Sequence, residues 1–354
     1  MADPFPFAKP FLHLLDPERA HELTLRALET NLVPPQPPVD EPSIAIQLFG
    51  RRLASPVGLA AGFDKNARVF RRMYAQGFGF VEIGGVTPRP QRGNPRPRVF
   101  RLPQDAAVIN NMGFPSDGAE TVVRRLGGER PPGMLGVNLA SNGDSADPAA
   151  DFVGLVQRFS AYADYLTLDI SCPNSVNGKV FLDPPRLREL MERIAAVDRG
   201  PMPPKLVAKF SPDVDDALLE QLVNILMEAK IDGISVSNTT VERPSTLRDD
   251  ASMKGGLSGR PLFALSTGML AKVATLTGGA VPLIGVGGIA SGPQAYEKIR
   301  AGATAVQVYT GLIYGGTALV TRIKRELAVL LMRDGYGTLS EAVGTARSVR
   351  KVSL

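Results

Sequence analysis

Cysteine and histidine are scarce in this 354-residue chain, which has one cysteine, Cys172, and two histidines, His13 and His21. A single cysteine excludes an internal disulfide, so the composition favours a reducing compartment over secretion. Both histidines lie within the first 21 residues, which excludes histidine-based catalysis in the body of the chain. Zinc sites built from His and Cys ligands lack the residues they need, and we expect no metal.

Long apolar runs and a strong charge of one sign are also missing. No run approaches the roughly 18 to 20 apolar residues of a membrane span, and the opening "MADPFPFAKP" lacks the layout of a signal peptide. Forty Lys and Arg residues against 35 Asp and Glu residues give a net charge of +5 without a long single-sign block. That mild excess favours an anionic small molecule or a lipid surface as partner, and we expect no nucleic acid.

Short apolar or β-branched runs recur along most of the chain and alternate with segments of helical periodicity. The helical segments include 149–163, 184–198, 215–230 and 292–301. Such alternation is typical of parallel βαβ units and predicts a (βα)8 TIM barrel. The eight predicted strands are "VGLAAG" at 57, "FVEIGG" at 80, "LGVNLA" at 135, "YLTLDI" at 165, "LVAKF" at 206, "GISVSN" at 233, "PLIGVG" at 282 and "AVQVYT" at 305.

Two gaps, 86–134 and 239–281, are too long for simple crossovers. Both follow the carboxyl end of a strand, which in such a barrel is the catalytic face. We therefore expect these two insertions to cover or complete an active site.

An N-terminal extension precedes the predicted barrel. Asp16 as N-cap and Pro17 at the first helical position predict an amphipathic helix over 17–32, and "VPPQPPVD" then separates it from the rest. The sequence predicts two domains, residues 1–38 as a helical head and 39–354 as the barrel. The head is either a lid packed on the barrel or a pair of helices in a membrane interface, where Lys9, Arg19 and Arg26 would meet anionic head groups.

Polar residues cluster at the predicted strand ends, which meet at one mouth of a barrel. "GVGGIASG" and "VQVYTG", after strands seven and eight, are typical of a phosphate-binding cradle. Lys209 allows three interpretations: a surface lysine, a Schiff-base lysine of an aldolase, or a cation that stabilises a reduced ring. Cys172, in "SCPNS", is either a buried inert thiol or a base or nucleophile whose pKa a nearby cation lowers.

Nine stretches together resemble the dihydroorotate dehydrogenases, specifically the quinone-dependent, membrane-associated class 2. They are "LLDPERAHELTLRAL", "SPVGLAAGFDKN", "GFGFVEIGGVTPRPQRGNPRPRVFRLP", "VINNMGFPSDG", "GVNLASN", "SNTTVERP", "GGLSGRPL", "PLIGVGGI" and "GATAVQVYTGLIY". The resemblance implies an FMN enzyme of pyrimidine biosynthesis that oxidises dihydroorotate to orotate and reduces a membrane quinone. It also implies a peripheral membrane protein on the cytoplasmic face of a bacterial inner membrane, which we expect to be a monomer. In the membrane interpretation of the head, residues 1–38 are the quinone-binding extension, and their helices form a tunnel that leads quinone to the flavin.

The resemblance assigns roles to matching positions. Cys172 would be the base that removes a proton from C5 of dihydroorotate while C6 delivers a hydride to the flavin. The residues implied to bind FMN are Ala61, Gly62, Lys65, Asn138, Asp169, Lys209, Ser237, Gly259, Gly288, Tyr309 and Thr310. The residues implied to bind orotate are Lys65, Asn110, Asn111, Met112, Gly113, Phe114, Asn174, Asn238 and Thr239.

Four local features depart from the class 2 pattern. Cys172 stands where class 2 enzymes have serine and resembles class 1, Asp169 replaces an asparagine, and Gly85 replaces a threonine at the flavin. "SVNGKVFLD" also replaces the usual "TPGLR" type of loop. An ionised Asp169 would repel the orotate carboxylate unless it is protonated, turned away, or paired with Lys65 or Lys179.

These departures leave three alternatives beside dihydroorotate oxidation. An FMN oxidoreductase of the same frame could act on a related dihydropyrimidine, whose ring N–H Asp169 would accept. A Schiff-base aldolase would use Lys209, and a membrane-bound flavin or pyrimidine sensor would bind without turnover.

Overall fold

The computed structural model describes residues 4–128 and 130–346. Residues 1–3 of the predicted head, Glu129 in the first predicted insertion and residues 347–354 of the predicted barrel domain lie outside this part. In chain order the described strands are β1 (Ile46–Leu48), β2 (Arg51–Leu53), β3 (Val57–Leu59), β4 (Phe80–Val86), β5 (Val99–Leu102), β6 (Ala107–Asn110), β7 (Met134–Leu139), β8 (Tyr165–Asp169), β9 (Lys205–Phe210), β10 (Gly233–Val236), β11 (Gly256–Gly259), β12 (Leu283–Val286) and β13 (Ala305–Val308).

Helices follow most of these strands, as the βα alternation predicts. Short 3₁₀ turns lie at Pro42–Ile44, Val180–Leu182 and Arg260–Leu262. The described α-helices are α1 (Phe5–Leu14), α2 (Pro17–Glu29), α3 (Phe70–Tyr74), α4 (Ala119–Leu126), α5 (Pro148–Phe159), α6 (Pro184–Ala195), α7 (Asp216–Glu228), α8 (Phe263–Leu276), α9 (Gly292–Ala301), α10 (Thr310–Gly315), α11 (Ala318–Arg333) and α12 (Leu339–Ala342).

Eight parallel strands close into a barrel, in the order β3, β4, β7, β8, β9, β10, β12 and β13. Closure is made where β13 pairs with β3, with Val306 opposite Val57. All eight strands lie in the predicted segments, and the helices over 149–163, 184–198, 215–230 and 292–301 are present with slightly different ends. The predicted (βα)8 TIM barrel with an N-terminal helical extension is confirmed.

The barrel interior contains a buried polar network around Glu82. Tyr165 Oη and Gln307 Nε2 donate to Glu82 Oε2 at 3.0 and 2.8 Å, and Asn138 Nδ2 donates to Glu82 Oε1 at 3.1 Å. Three donors from three other strands thus satisfy one carboxylate that has no access to water. The network fixes the side chain of Asn138, which reaches the mouth of the barrel.

The amino end of the barrel is covered by the antiparallel β1–β2 hairpin. Its turn residue Phe49 packs against Tyr165, with ring centroids 5.4 Å apart. Because the hairpin closes the amino end, the opposite, carboxyl end is the open face of the barrel.

The two long insertions combine into one antiparallel sheet beside that open face. β11, from the second insertion, pairs with β6 from the first, and β6 pairs with β5. Asp105 lies in the β5–β6 turn and is buried, and its Oδ2 accepts from the backbone N–H groups of Arg248 and Asp249 at 2.9 Å each. One carboxylate of the first insertion thereby holds the loop of the second.

The head consists of α1 and α2. Asp16 caps α2, since its Oδ1 accepts from the N–H groups of Glu18 and Arg19 at 3.1 Å. The helix begins at the predicted Pro17 and ends at Glu29, three residues before the predicted end. Within residues 4–128 and 130–346, no helix combines the length and the apolar character that a membrane crossing requires.

Replacing Asp105 should loosen the sheet made by the two insertions. Asp105→Ala leaves the N–H groups of Arg248 and Asp249 without their acceptor, so we expect a loss of about 1–3 kcal/mol in the free energy of unfolding in urea. Asp250→Ala is the matched control, because exposed Asp250 accepts, within the described residues, from Ser252 of its own loop alone. Equal stabilities of the two variants would refute the role given to Asp105.

Candidate active site

The polar residues predicted from the strand ends surround one cavity of about 1450 Å³ at the barrel mouth. All but one of the site residues named above line it. They are Ala61, Gly62, Lys65, Asn110, Met112, Gly113, Phe114, Asn138, Asp169, Cys172, Asn174, Lys209, Ser237, Asn238, Thr239, Gly259, Gly288, Tyr309 and Thr310.

Asn111 is the predicted site residue that does not line the cavity. Its Oδ1 accepts from Asn94 Nδ2 at 2.9 Å, so its side chain faces the supporting layer behind the loop. Gln91 supports the same loop, donating from Nε2 to the carbonyls of Gly113 and Phe114 at 3.1 and 2.9 Å.

Gly85 makes room for Phe114. A Cβ atom at Gly85 would lie 2.7 Å from Phe114 Cδ1 and 2.8 Å from Cε1, closer than real contacts allow. The small residue at this departure from the family pattern therefore lets the ring of Phe114 pack against β4.

Glycines and helix starts form the predicted phosphate cradle. Gly259 and Gly288 have φ of +91° and +75°, a conformation that favours glycine. A Cβ at Gly288 would lie 2.5 Å from Phe263 Cβ, so the β12 loop lies directly on the start of α8. Thr310, at the start of α10, donates from Oγ1 to Ser258 Oγ at 2.9 Å. Three backbone segments thus converge where an anion would meet N–H groups.

Unpaired acceptors in the cavity wall fit a flavin. Asn138 Oδ1 and Thr239 Oγ1 are buried and have no hydrogen-bond partner among the described residues. Such atoms are costly unless a ligand supplies the missing partner, and a ring with an imide N–H supplies a donor for an oxygen like Asn138 Oδ1. The residues present therefore fit the group that the family resemblance implies.

Asp169 lies in the cavity wall and bonds to a second predicted site residue. Its Oδ1 accepts from Asn238 Nδ2 at 2.9 Å, and the residue opposite it in register is Lys209 on β9. Burial raises the pKa of Asp169, and the charge of Lys209 acts against that rise. In the described part of the chain Asp169 forms no ion pair with Lys65, Lys179 or Lys209, and Lys209 acts on it only through its charge at longer range.

Cys172 is buried just beyond β8. Burial, reinforced by the negative charge of Asp169, raises the pKa of its thiol to about 12. One of the two interpretations drawn from the sequence requires a neighbouring cation to lower this pKa; the charges of Lys209 and Lys179 act in that direction but are outweighed. A thiolate base at this position is therefore a minor species at neutral pH.

Lys65 is a second lysine of the cavity, and the charge of the head acts on it. It follows β3, and its Nζ donates to the carbonyl of Gly62. Burial lowers its pKa to about 8, and the charge of Glu18 in α2 is the strongest influence in the opposite direction. At neutral pH the lysine is mostly protonated and can bind a carboxylate.

The cavity continues from the barrel mouth to the space between α1 and α2. Head residues along it include Phe5, Leu12, His21, Leu25 and Leu28. His21 packs edge-on against Phe63, with centroids 5.3 Å apart, and burial lowers its pKa to about 3.

Sequence reasoning predicted that the head leads quinone to the site, but it did not name Glu18 and His21, which line the cavity. Glu18 and His21 lie three residues apart in α2, a spacing that places them on one helix face. In this helix, only the apolar face and the arginines were used for prediction from the sequence. The spacing of Glu18 and His21 was the sequence feature that could have identified them.

Comparison with known proteins agrees with the geometry of the site. The family model described as "Dihydroorotate dehydrogenase" matches residues 43–331. The chain is 44% identical over 369 residues to "Dihydroorotate dehydrogenase (quinone), mitochondrial" of Arabidopsis thaliana, covering 95% of this chain and 80% of that protein. It is 46% identical over 344 residues to "Dihydroorotate dehydrogenase (quinone)" of Parvibaculum lavamentivorans, covering 97% and 98%.

Solved structures share the whole fold. The structure of DHODH from Eimeria tenella in complex with ferulenol has a TM-score of 0.89 and 36% identity, covering 94% of this chain and 96% of that one. The ligand-free structure from the same organism has a TM-score of 0.88, covering 94% and 99%. These matches confirm the resemblance drawn from the sequence: the chain belongs to the dihydroorotate dehydrogenase family, in its quinone-dependent class.

Proposed function

We propose that this chain holds FMN at the barrel mouth, oxidises dihydroorotate to orotate there, and reduces a membrane quinone that enters between α1 and α2. Dihydroorotate oxidation with a quinone as electron acceptor follows from membership of the family, which is flavin-dependent. The single observation that carries the fuller proposal is the continuous cavity, lined at one end by the predicted flavin and orotate residues and at the other by the head.

FMN, when bound, supplies a two-electron acceptor for the hydride from C6 of dihydroorotate and a donor to the quinone. Gly259, Gly288 and the start of α10 would hold its phosphate, and Asn138 and Lys209 would contact its ring. Lys65 would bind the substrate carboxylate, and the amides of Asn110 and Asn174 would orient the ring. Asn174 is positioned for this role by Gly256 N, which donates to its Oδ1 at 3.1 Å.

The carboxylate of Asp169 sets this site apart from the pattern of the family. Asn238 Nδ2 donates one of its two N–H groups to this carboxylate, which leaves the other for a ligand. A related dihydropyrimidine, whose ring N–H the carboxylate of Asp169 would accept, is a second candidate substrate.

Anaerobic addition of substrate to the purified flavoprotein tests the proposal and separates these candidates. Dihydroorotate should bleach the flavin absorbance rapidly, and dihydrouracil should do so slowly. The reverse order would establish the second candidate, and no bleaching by either would leave a binding protein rather than an enzyme.

The head supports membrane association. Phe7, Phe11 and Leu14 on α1 are 78%, 72% and 85% exposed, so this helix presents an apolar face outward. Arg19 and Arg26 are also exposed, as expected of residues near anionic head groups, whereas Lys9 Nζ donates to Tyr314 O and ties α1 to the barrel. We infer a peripheral protein on the cytoplasmic face of a bacterial inner membrane, acting as a monomer.

Removing the thiol of Cys172 should slow the first half-reaction. Cys172→Ala should retain FMN and orotate binding but reduce the rate of flavin bleaching about 10²-fold or more, the usual scale for a general base, while Cys172→Ser retains part of the rate. Since the raised pKa leaves little thiolate at pH 7, the wild-type rate at saturating dihydroorotate should increase with pH through the alkaline range. Stopped-flow absorbance from pH 6 to about pH 10 measures both effects, and a wild-type rate in the alanine variant would refute the assignment.

Removing the cation of Lys209 should affect cofactor retention and reduction together. Lys209→Met keeps a buried chain of similar length but leaves Asp169 without the lysine opposite it. We expect a lower flavin content after purification and slower bleaching by dihydroorotate. A flavin content and rate equal to wild type would contradict the role, and a borohydride-trapped substrate adduct on Lys209 would establish the Schiff-base alternative.

Polar substitution of the exposed face of α1 should separate the two half-reactions. A variant with Phe7, Phe11 and Leu14 changed to serine should lose binding to anionic liposomes and reduction of a long-chain quinone. Bleaching by dihydroorotate should persist, because none of the three side chains lines the cavity. Val329 and Met332, exposed apolar residues of α11, provide the matched control when changed to serine. Liposome binding that survives in the α1 variant would favour the lid interpretation of the head.

A further inference from the structure

Two groups of ion pairs tie α2 to the barrel on the two sides of the cavity. On one side Glu18 accepts from Arg98 Nε at 2.7 Å and Nη2 at 3.1 Å, and it also pairs with Arg96 at 2.7 Å. On the other side Glu22 and Glu29 both pair with Arg68 at 2.7 Å. The Glu18 group is the more buried, since the side chains of Glu18 and Arg98 are only 14% and 7% exposed.

Arg98 extends the contact with Glu18 into the first insertion. Its Nη1 donates to the carbonyls of Arg92 and Asn94 at 2.7 and 2.8 Å, while Nε and Nη2 face Glu18. One buried guanidinium therefore holds the head helix and residues 92–94 together. Such charge-assisted bonds are stronger and more directional than neutral ones.

Asn94 connects this segment to the loops that line the substrate end of the cavity. Its backbone N–H donates to Met112 O at 3.0 Å, and its Nδ2 donates to Asn111 Oδ1 at 2.9 Å and to Asn174 O at 3.0 Å. Asn174 stands two residues after Cys172. A continuous chain of hydrogen bonds thus runs from α2 to both loops predicted to hold orotate.

Glu18 also acts on Lys65 through its charge. The ionisable groups that influence Lys65 are Glu18 and Asp64, which favour its protonated form, and Arg98, which opposes it. His21, on the same face of α2, is in turn kept neutral by burial and by the charge of Lys65. Loss of the Glu18 charge would therefore lower the pKa of Lys65 below about 8.

We propose that Glu18 is a positioning residue that couples the head to the orotate site, by holding Arg98 and through it the loops of Met112 and Asn174. This inference rests on the proposed function, because it takes orotate as the ligand of those loops. The head is then part of the substrate site as well as the route for quinone, and movement of α2 alters the affinity for orotate.

Orotate titration of the purified holoprotein tests the coupling, with calorimetry as the readout. Glu18→Gln should weaken orotate binding about fivefold or more, the usual scale of coupling between sites, at unchanged flavin content. Glu29→Gln is the matched control, since Arg68 keeps Glu22 as its partner, and it should bind orotate as the wild type does.

The pH dependence of the same titration distinguishes coupling from a general loss of structure. Orotate needs protonated Lys65, so its affinity should fall as the pH rises above about 8. In Glu18→Gln that fall should begin at lower pH, whereas Glu18→Asp, which keeps the charge on a shorter side chain, should restore the wild-type pH limit.

Equal affinities in Glu18→Gln and Glu29→Gln would overturn the inference. Loss of flavin from Glu18→Gln would overturn it as well, because a positioning role leaves the flavin site intact. A wild-type protein that binds no orotate would instead refute the proposed function, so the two failures are distinguishable.

Discussion

Closure of the parallel barrel is the constraint on which the rest of this structure depends. Once β13 pairs with β3, every strand has two neighbours, and the backbone groups of all eight are satisfied without an edge. Because the strands are parallel, their carboxyl ends share one rim, and residues distant in sequence meet there. Glu82 belongs to the same constraint, since its three donors come from three other strands of the closed barrel.

The sequence was sufficient to predict this barrel because its strands and helices have different apolar periodicities. The strand-end rule then placed Lys65, Asn138, Cys172 and Lys209 in one mouth, and all four line the cavity. The catalytic and binding roles of individual residues were inferred from the family resemblance, and they remain predictions. The orientation of Asn111 could not be predicted, because it depends on Asn94 in the insertion, 17 residues earlier in the chain.

Long-range pairing explains the other features that the sequence left open. Nothing local in residues 239–281 indicates that β11 pairs with β6, because that contact joins two insertions across the barrel mouth. The direction in which the pKa of Cys172 shifts could not be predicted for the same reason. Spacing identifies a thiol beside possible cations, but only the folded arrangement shows that burial and Asp169 outweigh them.

The acidic side chain at position 169 changes the electrostatics of the mouth in a consistent way. An asparagine at position 169 would carry no charge opposite Lys209 and would leave burial alone to raise the pKa of Cys172, whereas Asp169 adds its negative charge to the effect of burial. Cysteine is more acidic than serine, but at this position burial and an acidic neighbour both make its thiol harder to ionise. With its pKa raised to about 12, chiefly by burial, the thiol is mostly protonated at neutral pH, as a serine hydroxyl is. Lys65 would then supply the positive charge that binds the substrate carboxylate at the mouth. The protonation of Lys65 in turn depends on Glu18 of the head.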